Sequence, residues 1–197
     1  MTAAVASGPD DGTYRRQIIM AAAELTARSG WSAVTMGRLA TAVGVSRQTV
    51  YNEVGSKPAL AGAMVLNELG RFLAVVERAF DANPRDLRQA IHDAVKGVLE
   101  LAQDNRLLHA IASATHGTDT ELLPLLTTHA ESLLTTAKSL VADRVVRFAP
   151  PLDAHELSVT IDAVVRLVLS HVMQPSDTPA RTAEDVAWLA ARVARAA

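Results

Sequence analysis

Residues 35–57 read TMGRLATAVGVSRQTVYNEVGSK, and the middle of that stretch is built as a corner between two helices. Leu39, Ala40 and Val43 give the first half one apolar face at helical spacing. Gly44 permits a sharp turn, Val45 fills the inside of the corner, and Ser46 is a residue type that caps the unpaired N–H groups of a new helix. Thr35 can cap the preceding helix in the same way. Two short helices crossing steeply through a turn of about three or four residues that includes glycine make a helix-turn-helix.

On a helical wheel of about 100° per residue, with Val50 turned toward the core, Ser46 and Val54 fall on the Val50 side. Gln48 and Asn52 then point outward, Thr49 and Tyr51 flank them, and Arg47 stands at the shoulder. Those residue types match the edges of bases: amides suit adenine, arginine suits guanine or phosphate, and a threonine methyl suits thymine. Lys57 opens the next helix, where backbone N–H groups can hold a phosphate. A Gly-Val-Ser corner also occurs in helical hairpins that bind nothing, so the corner alone leaves DNA reading and simple packing open.

Charge weighs toward DNA. The chain carries a net charge of −2, unevenly spread. Residues 13–60 hold Arg15, Arg16, Arg28, Arg38, Arg47 and Lys57 against Glu24 and Glu53, whereas the remainder is net acidic. A basic module facing a polyanion, attached to an acidic body with another task, accounts for that asymmetry.

The 197 residues suffice for one or two domains, and the 49% hydrophobic share with only 4% aromatics points to helix. The absence of cysteine excludes disulfide frameworks, zinc ribbons and thiol catalysis, and fits a cytoplasmic location. No apolar run reaches the roughly 18 residues that span a bilayer, so no membrane partner is expected. Residues 1–12 read as a disordered tail.

Apolar residues recur every three or four positions from residue 13 onward, which predicts an all-α fold of about nine helices. The first, near Thr13–Ser29, presents Ile18, Ala22 and Leu25 on one face. Ser56 with Pro58 opens a long fourth helix to about Phe80, and Asn83 to Asp86 open a fifth to about Gln103. A sixth spans 105–116, and Thr118 with Glu121 starts a seventh that reaches about Phe148, kinked or delayed by Pro124. Asp153 with Glu156 starts an eighth, and Thr182 with Asp185 a ninth. The expected division is a helix-turn-helix module over 13–55 and a larger helical body over 56–197.

Taken together, GWSAVTMGRLATAVGVS (residues 30–46) and VYNEVGSKPAL (residues 50–60) resemble the DNA-binding domain of the TetR family of bacterial transcriptional regulators. Glu53-Val54 departs from the family pattern, which often has an aromatic or histidine followed by Phe there. The resemblance implies that positions matching Thr35, Ser46, Arg47, Gln48, Thr49, Tyr51, Asn52 and Lys57 supply the DNA contacts. Tyr51 and Lys57 would grip backbone, while Arg47, Gln48 and Thr49 would reach toward bases.

The segment DAHELSVTIDAVVRLVLSHVM (153–173) is apolar around most of its circumference, and the last helix has a narrower stripe of small apolar residues. Both patterns fit plain core as well as a partner surface. The resemblance favours a homodimer through these two helices, with Leu157, Ile161, Val164, Val168, Val186, Ala190 and Val193 as candidates. It also implies an inducer cavity in the body, for which Val98, Leu101, Leu108, Ile111, Thr115, Leu126, His129 and Leu133 are candidates. Their apolar character favours a hydrophobic small molecule.

The six histidines contain no i,i+4 pair, and no nucleophile elbow, phosphate loop or dinucleotide fingerprint occurs. No catalysis, metal or cofactor is therefore expected. The sequence reads as a ligand-responsive regulator, most simply a repressor, with a double-stranded DNA operator, a small-molecule inducer and a second copy of itself as partners. The alternative is a helical binding or enzymatic protein that uses the helix-turn-helix only as scaffold.

Overall fold

The computed structural model describes residues 11–109 and 130–196, and every regular element among them is helical. The order is α1 (Asp11–Ser29), a 3-10 turn (Trp31–Ala33), α2 (Met36–Val43), α3 (Arg47–Val54), α4 (Lys57–Ala82) and α5 (Leu87–Gln103). A turn of helix over 106–109 follows. Then come α6 (Ala130–Val145), a 3-10 turn (Val146–Phe148), α7 (Ala154–Met173) and α8 (Pro179–Ala196). The expected elements over 110–129 lie outside the described residues. So does most of the expected N-terminal tail, whose last two positions belong to α1.

The chain divides into two compact units. The first runs to Asn67 and includes His109, and the second holds Glu68–Leu108 and the residues from Ala130 onward. In the first unit α1, α2 and α3 pack on one another, and Ile18, Ala22, Leu25, Leu39 and Val50 are buried as their spacing predicts. The unit extends past residue 55. The cap at Ser56 marks where α4 starts, but Leu60, Ala61 and Met64 on its first turns are also buried, and the unit runs on along α4 for about three turns, to Asn67.

In the second unit α5 is the central element. Ala90 and Ala94 join Ala79 and Phe80 of α4 and Val145 of α6 in one cluster, beside which Phe80 and Phe148 meet edge to face, ring centroids 6.0 Å apart. Val95 and Leu99 join Ala183 and Val186 of α8 in a second, covered by Val164, Leu167, Val168 and Val172 of α7. Gly97 lets α4 and α5 approach closely: a Cβ there would lie 2.6 Å from Cγ1 of Val75. Helix α7 starts where expected, and Asp153 and Glu156 form a capping box there. Helix α8 starts a turn earlier than expected, because the Thr178 hydroxyl accepts the Arg181 N–H at 3.3 Å and Pro179 fits a first helical turn. Thr182 is instead buried inside the helix.

Helix α4 is long and apolar enough by composition to cross a membrane. One of its charged residues is nonetheless buried against protein. Glu68 is 8% exposed and accepts hydrogen bonds from Asn105 at 2.6 Å and from Arg71 at 3.1 Å. Asn105 in turn accepts the Leu108 N–H at 3.0 Å, capping the turn of helix that follows.

The loop between α4 and α5 is fastened by Asp93. Its carboxylate pairs with Nδ1 of His92 at 2.9 Å and accepts from Asn83 at 3.0 Å and Gln89 at 2.8 Å. The His92 hydrogen bond, aided by those two amides and opposed by partial burial, holds the Asp93 pKa below the ordinary aspartate value. A depressed carboxylate pKa stabilises the fold above its unfolded value, and that contribution is lost as pH falls through the folded value. Asp93→Asn should therefore shrink the drop in melting temperature between about pH 5 and pH 2.

Two glycine substitutions should destabilise for separable reasons. Gly44 has φ +77° with open space around a Cβ, so Gly44→Ala should cost about 1–2 kcal/mol from backbone strain. Gly97→Ala should cost about 1–3 kcal/mol from overpacking. Urea denaturation should show Val75→Ala rescuing the Gly97 variant and leaving the Gly44 variant unrescued.

Candidate nucleic-acid interface

The corner is made by two backbone features. Gly44 in the left-handed region ends α2, and the N–H groups of Gly44 and Val45 both return to the carbonyl of Ala40, at 2.9 and 3.0 Å. The chain then re-enters a helix at Ser46, whose Oγ accepts the Thr49 N–H at 3.0 Å. The two hydroxyls of Ser46 and Thr49 also bond at 2.9 Å, which fixes the Thr49 side chain at the edge of the helix.

Val50 is 0% exposed and Val54 is buried, so the rotation of α3 about its axis is determined by packing. Gln48, Tyr51 and Asn52 are exposed, as the wheel predicts, and Tyr51 shows 47% of its surface. Gln48 donates through Nε2 to Oδ1 of Asn52 at 2.9 Å. The amide pair is thus held together before any partner arrives, with the oxygen of Gln48 and the NH₂ of Asn52 still available. One acceptor and one donor side by side match the N6–H donor and N7 acceptor of adenine.

The basic residues around α3 divide into two groups. Arg15 donates to the carbonyl of Glu53, in the last turn of α3, and Arg38 donates to the carbonyl of Ala33 at 2.9 Å. Both stabilise chain ends whose carbonyls lack helical partners. The Arg15 bond also gives the Glu53-Val54 departure a structural setting, with Val54 buried and the Glu53 backbone held from α1. Arg47 lies close over Gly37: a Cβ there would be 3.8 Å from its Cδ and Nε. The guanidinium is therefore swung toward the start of α2, where Thr35 caps by accepting the Arg38 N–H at 3.2 Å. Lys57 lies with its Nζ 4.9 Å from the centroid of the Trp31 ring.

The eight candidate DNA contacts are thus all in the first unit, on α3 and its cap or at the starts of α2 and α4. The candidates in the second unit fare differently. Val186, Ala190 and Ile161 are buried within the chain itself, with Val186 only 2% exposed against α5, so they offer no surface to a second copy. Leu157, Val164 and Val168 pack against the same protomer's clusters, and of the seven only Val193 is plainly exposed. The exposed apolar residues of α7 and α8 are Val159, Leu169, Met173, Trp188, Leu189 and Val193, with Trp188 at 56%. Small residues at i,i+3,i+4 spacing mark the stripe that fits closely on α5, and the larger apolar residues a quarter turn away are the ones left uncovered.

Of the pocket candidates, Ile111, Thr115, Leu126 and His129 lie outside the described residues. Val98 is buried, and Leu101, Leu108 and Leu133 are half-buried. Val98 and Leu101 continue the line of Ala90 and Ala94 along α5, past the cluster those alanines join. Among the described residues no group of three or more His, Cys, Asp or Glu is placed to hold a metal.

The match to known proteins covers both units. Residues 18–64 match the model of bacterial regulatory proteins of the tetR family, and residues 86–192 that of the bacterial tetracyclin repressor C-terminal domain. The HTH-type transcriptional regulator AlkX of Mycobacterium tuberculosis is 30% identical over 175 residues, which cover 89% of this chain and 82% of that protein. Among solved structures, the TetR family repressor AlkX of a Dietzia species, implicated in biodegradation of n-alkanes, superposes with a TM-score of 0.71. It is 24% identical and the match covers 96% of this chain and 97% of that one. The TetR family transcriptional regulator PfmR of Thermus thermophilus is also similar, with a TM-score of 0.56 at 16% identity over 89% and 97% of the two chains.

Ser46→Ala should lower stability by about 1 kcal/mol in urea denaturation, because it removes the cap of α3, and Ser46→Asp should restore it.

Proposed function

The chain belongs to the TetR family of bacterial transcriptional regulators, and we propose that it acts as a homodimeric repressor released from a palindromic operator by an apolar small molecule. The observation that carries the DNA-reading half is the exposed, pre-joined Gln48–Asn52 amide pair on a helix whose rotation is fixed by buried Val50. A scaffold with no reading task gains nothing from holding two amides outward in that register.

In this reading Gln48, Thr49 and Asn52 meet base edges, and Tyr51 and Lys57 meet the phosphate backbone, with Ser46 and Thr35 at the two helix starts. Arg47, swung toward α2, serves phosphate before it serves a base. Phosphate contacts set affinity and register, whereas base contacts set sequence preference.

The dimer surface is the exposed apolar face of α7 and α8, centred on Trp188, Leu189 and Leu169. Two modules are needed because paired half-sites place two recognition helices in successive major grooves. The inducer is a linear alkyl chain or a simple oxygenated derivative of one. The apolar candidates on α5 support this, as does the likeness to a repressor implicated in n-alkane biodegradation. Residues of α4 belong to both units, so α4 is the covalent path by which ligand binding alters DNA affinity. A coupling of about 1–3 kcal/mol gives useful induction. The cytoplasm is the compartment in which such a regulator meets its operator.

Selection of bound fragments from the source genome tests the reading directly, since recovery of no palindromic site at low salt overturns it. If each half-dimer neutralises about four phosphates, affinity should fall on the order of 10⁴-fold between 50 and 200 mM salt. Gln48→Ala should relax sequence preference, while Lys57→Ala should weaken all sequences alike. A panel of linear alkanes, alkanols and fatty acids should include compounds that lower operator affinity about 5- to 150-fold. Trp188→Glu should convert the dimer to monomer in sedimentation and abolish operator binding while leaving the fold intact.

A further inference from the structure

We infer that Gly37 is a specificity-determining residue: by carrying no side chain it seats Arg47 over the start of α2, and so keeps a guanidinium out of the base-reading row of α3. The inference rests on the functional reading above and adds to it a residue that has no side chain to offer DNA.

Gly37 is the second residue of α2. Only proline forms helix less readily than glycine. Unlike Gly30, Gly44 and Gly55, Gly37 does not have a positive φ, so the backbone does not call for glycine at this position. The space above it is what is used. A Cβ at 37 would lie 3.8 Å from both Cδ and Nε of Arg47, which is ordinary contact, so alanine would fit and leave Arg47 in place. The next carbon meets more resistance. In a helix one of the three staggered directions from Cβ is closed by the preceding turn, and a β-branched side chain fills both of the others. Isoleucine or valine at 37 would therefore take the space over which Arg47 lies.

The first helix of such a corner crosses the DNA backbone, where phosphates call for a cation. Helix α2 cannot extend one itself. Arg38, its single cation, donates to the Ala33 carbonyl at 2.9 Å, and the Thr41 hydroxyl turns back to the Gly37 carbonyl at 3.1 Å. The exposed Arg47 reaches across from α3 and supplies that charge. The base-reading row is left to Gln48, Thr49 and Asn52, all neutral. An arginine free to join them would add a preference for guanine. One missing side chain on α2 thus sets what α3 reads.

A double-mutant cycle separates the two positions. Base preference is read by selection from random duplexes, and affinity by fluorescence anisotropy on the selected operator. The proteins compared are the native chain, Gly37→Ala, Gly37→Ile, Arg47→Ala, and Gly37→Ile combined with Arg47→Ala. We expect Gly37→Ala to keep the native preference. Arg47→Ala alone should weaken all sequences alike and lower the salt dependence by about one phosphate per half-site. Gly37→Ile should gain a preference for guanine at one position of each half-site, roughly 5- to 150-fold over the other bases, and adding Arg47→Ala should remove that gain. Unchanged preference in Gly37→Ile overturns the inference. So does a changed preference that survives Arg47→Ala, which would make the new side chain itself the contact, and so does a shift already present in Gly37→Ala. Gly37→Val, with the same two γ carbons in less volume, repeats the test if Gly37→Ile does not unfold cooperatively. If the native chain selects no sequence, the functional reading itself fails.

Discussion

The burial of Val50 is the constraint on which the recognition surface depends. A helix of eight residues has little intrinsic stability in water, so α3 exists because its apolar side is taken up by α1 and α2. Once Val50 and Val54 are inside, the outward positions of the other residues follow from helix geometry. Gln48 and Asn52 are one turn apart on the far side, close enough to bond to each other. Their partnership limits each amide to a defined direction, and a surface of defined directions discriminates among bases better than a flexible one. The same packing makes Arg15 reach across to the end of α3, so the helix is held at both ends: a hydroxyl cap at Ser46 and a guanidinium at Glu53.

Much of the first unit was legible in the sequence because short-range rules govern it. Turn chemistry at Gly44, cap chemistry at Thr35 and Ser46, and the 3.6-residue period around Val50 each depend on neighbours within a few positions. The charge of residues 13–60 was legible as a sum but not as a distribution. Two of its six cations, Arg15 and Arg38, are committed to backbone carbonyls, a use that depends on where distant chain ends arrive. The pairing of Lys57 with Trp31 was hidden for the same reason, since the two residues meet only when the first unit has folded.

The second unit shows where periodicity stops being informative. An apolar stripe declares that one side of a helix is covered but does not say by what. Val186 and Ala190 were expected to meet another copy, yet α5 of the same chain covers that side of α8, and the bulkier Trp188 and Leu189 remain outside. Small residues permit close approach to any helix, and the chain's own α5 is already tethered nearby. The start of α8 was missed through a competition between two threonines: Thr182 has an acid three residues later, but Thr178 is followed by proline and prevails. The division between units was placed at a cap, whereas burial continues along α4 to Met64.

Glu68 and Arg71 have a significance that begins before the protein has folded. When α4 emerges from the ribosome, Asn105 lies 37 residues behind Glu68 and has not yet been presented to it. At that moment the segment is judged by its own composition, and by composition it could be taken for a membrane anchor. A charged residue near the middle of such a segment costs about 2.5–3.5 kcal/mol on the insertion scale. On that scale the two charges lower the tendency of the segment to insert, while in the finished molecule Glu68 is buried against Asn105 and Arg71 stays more than half exposed.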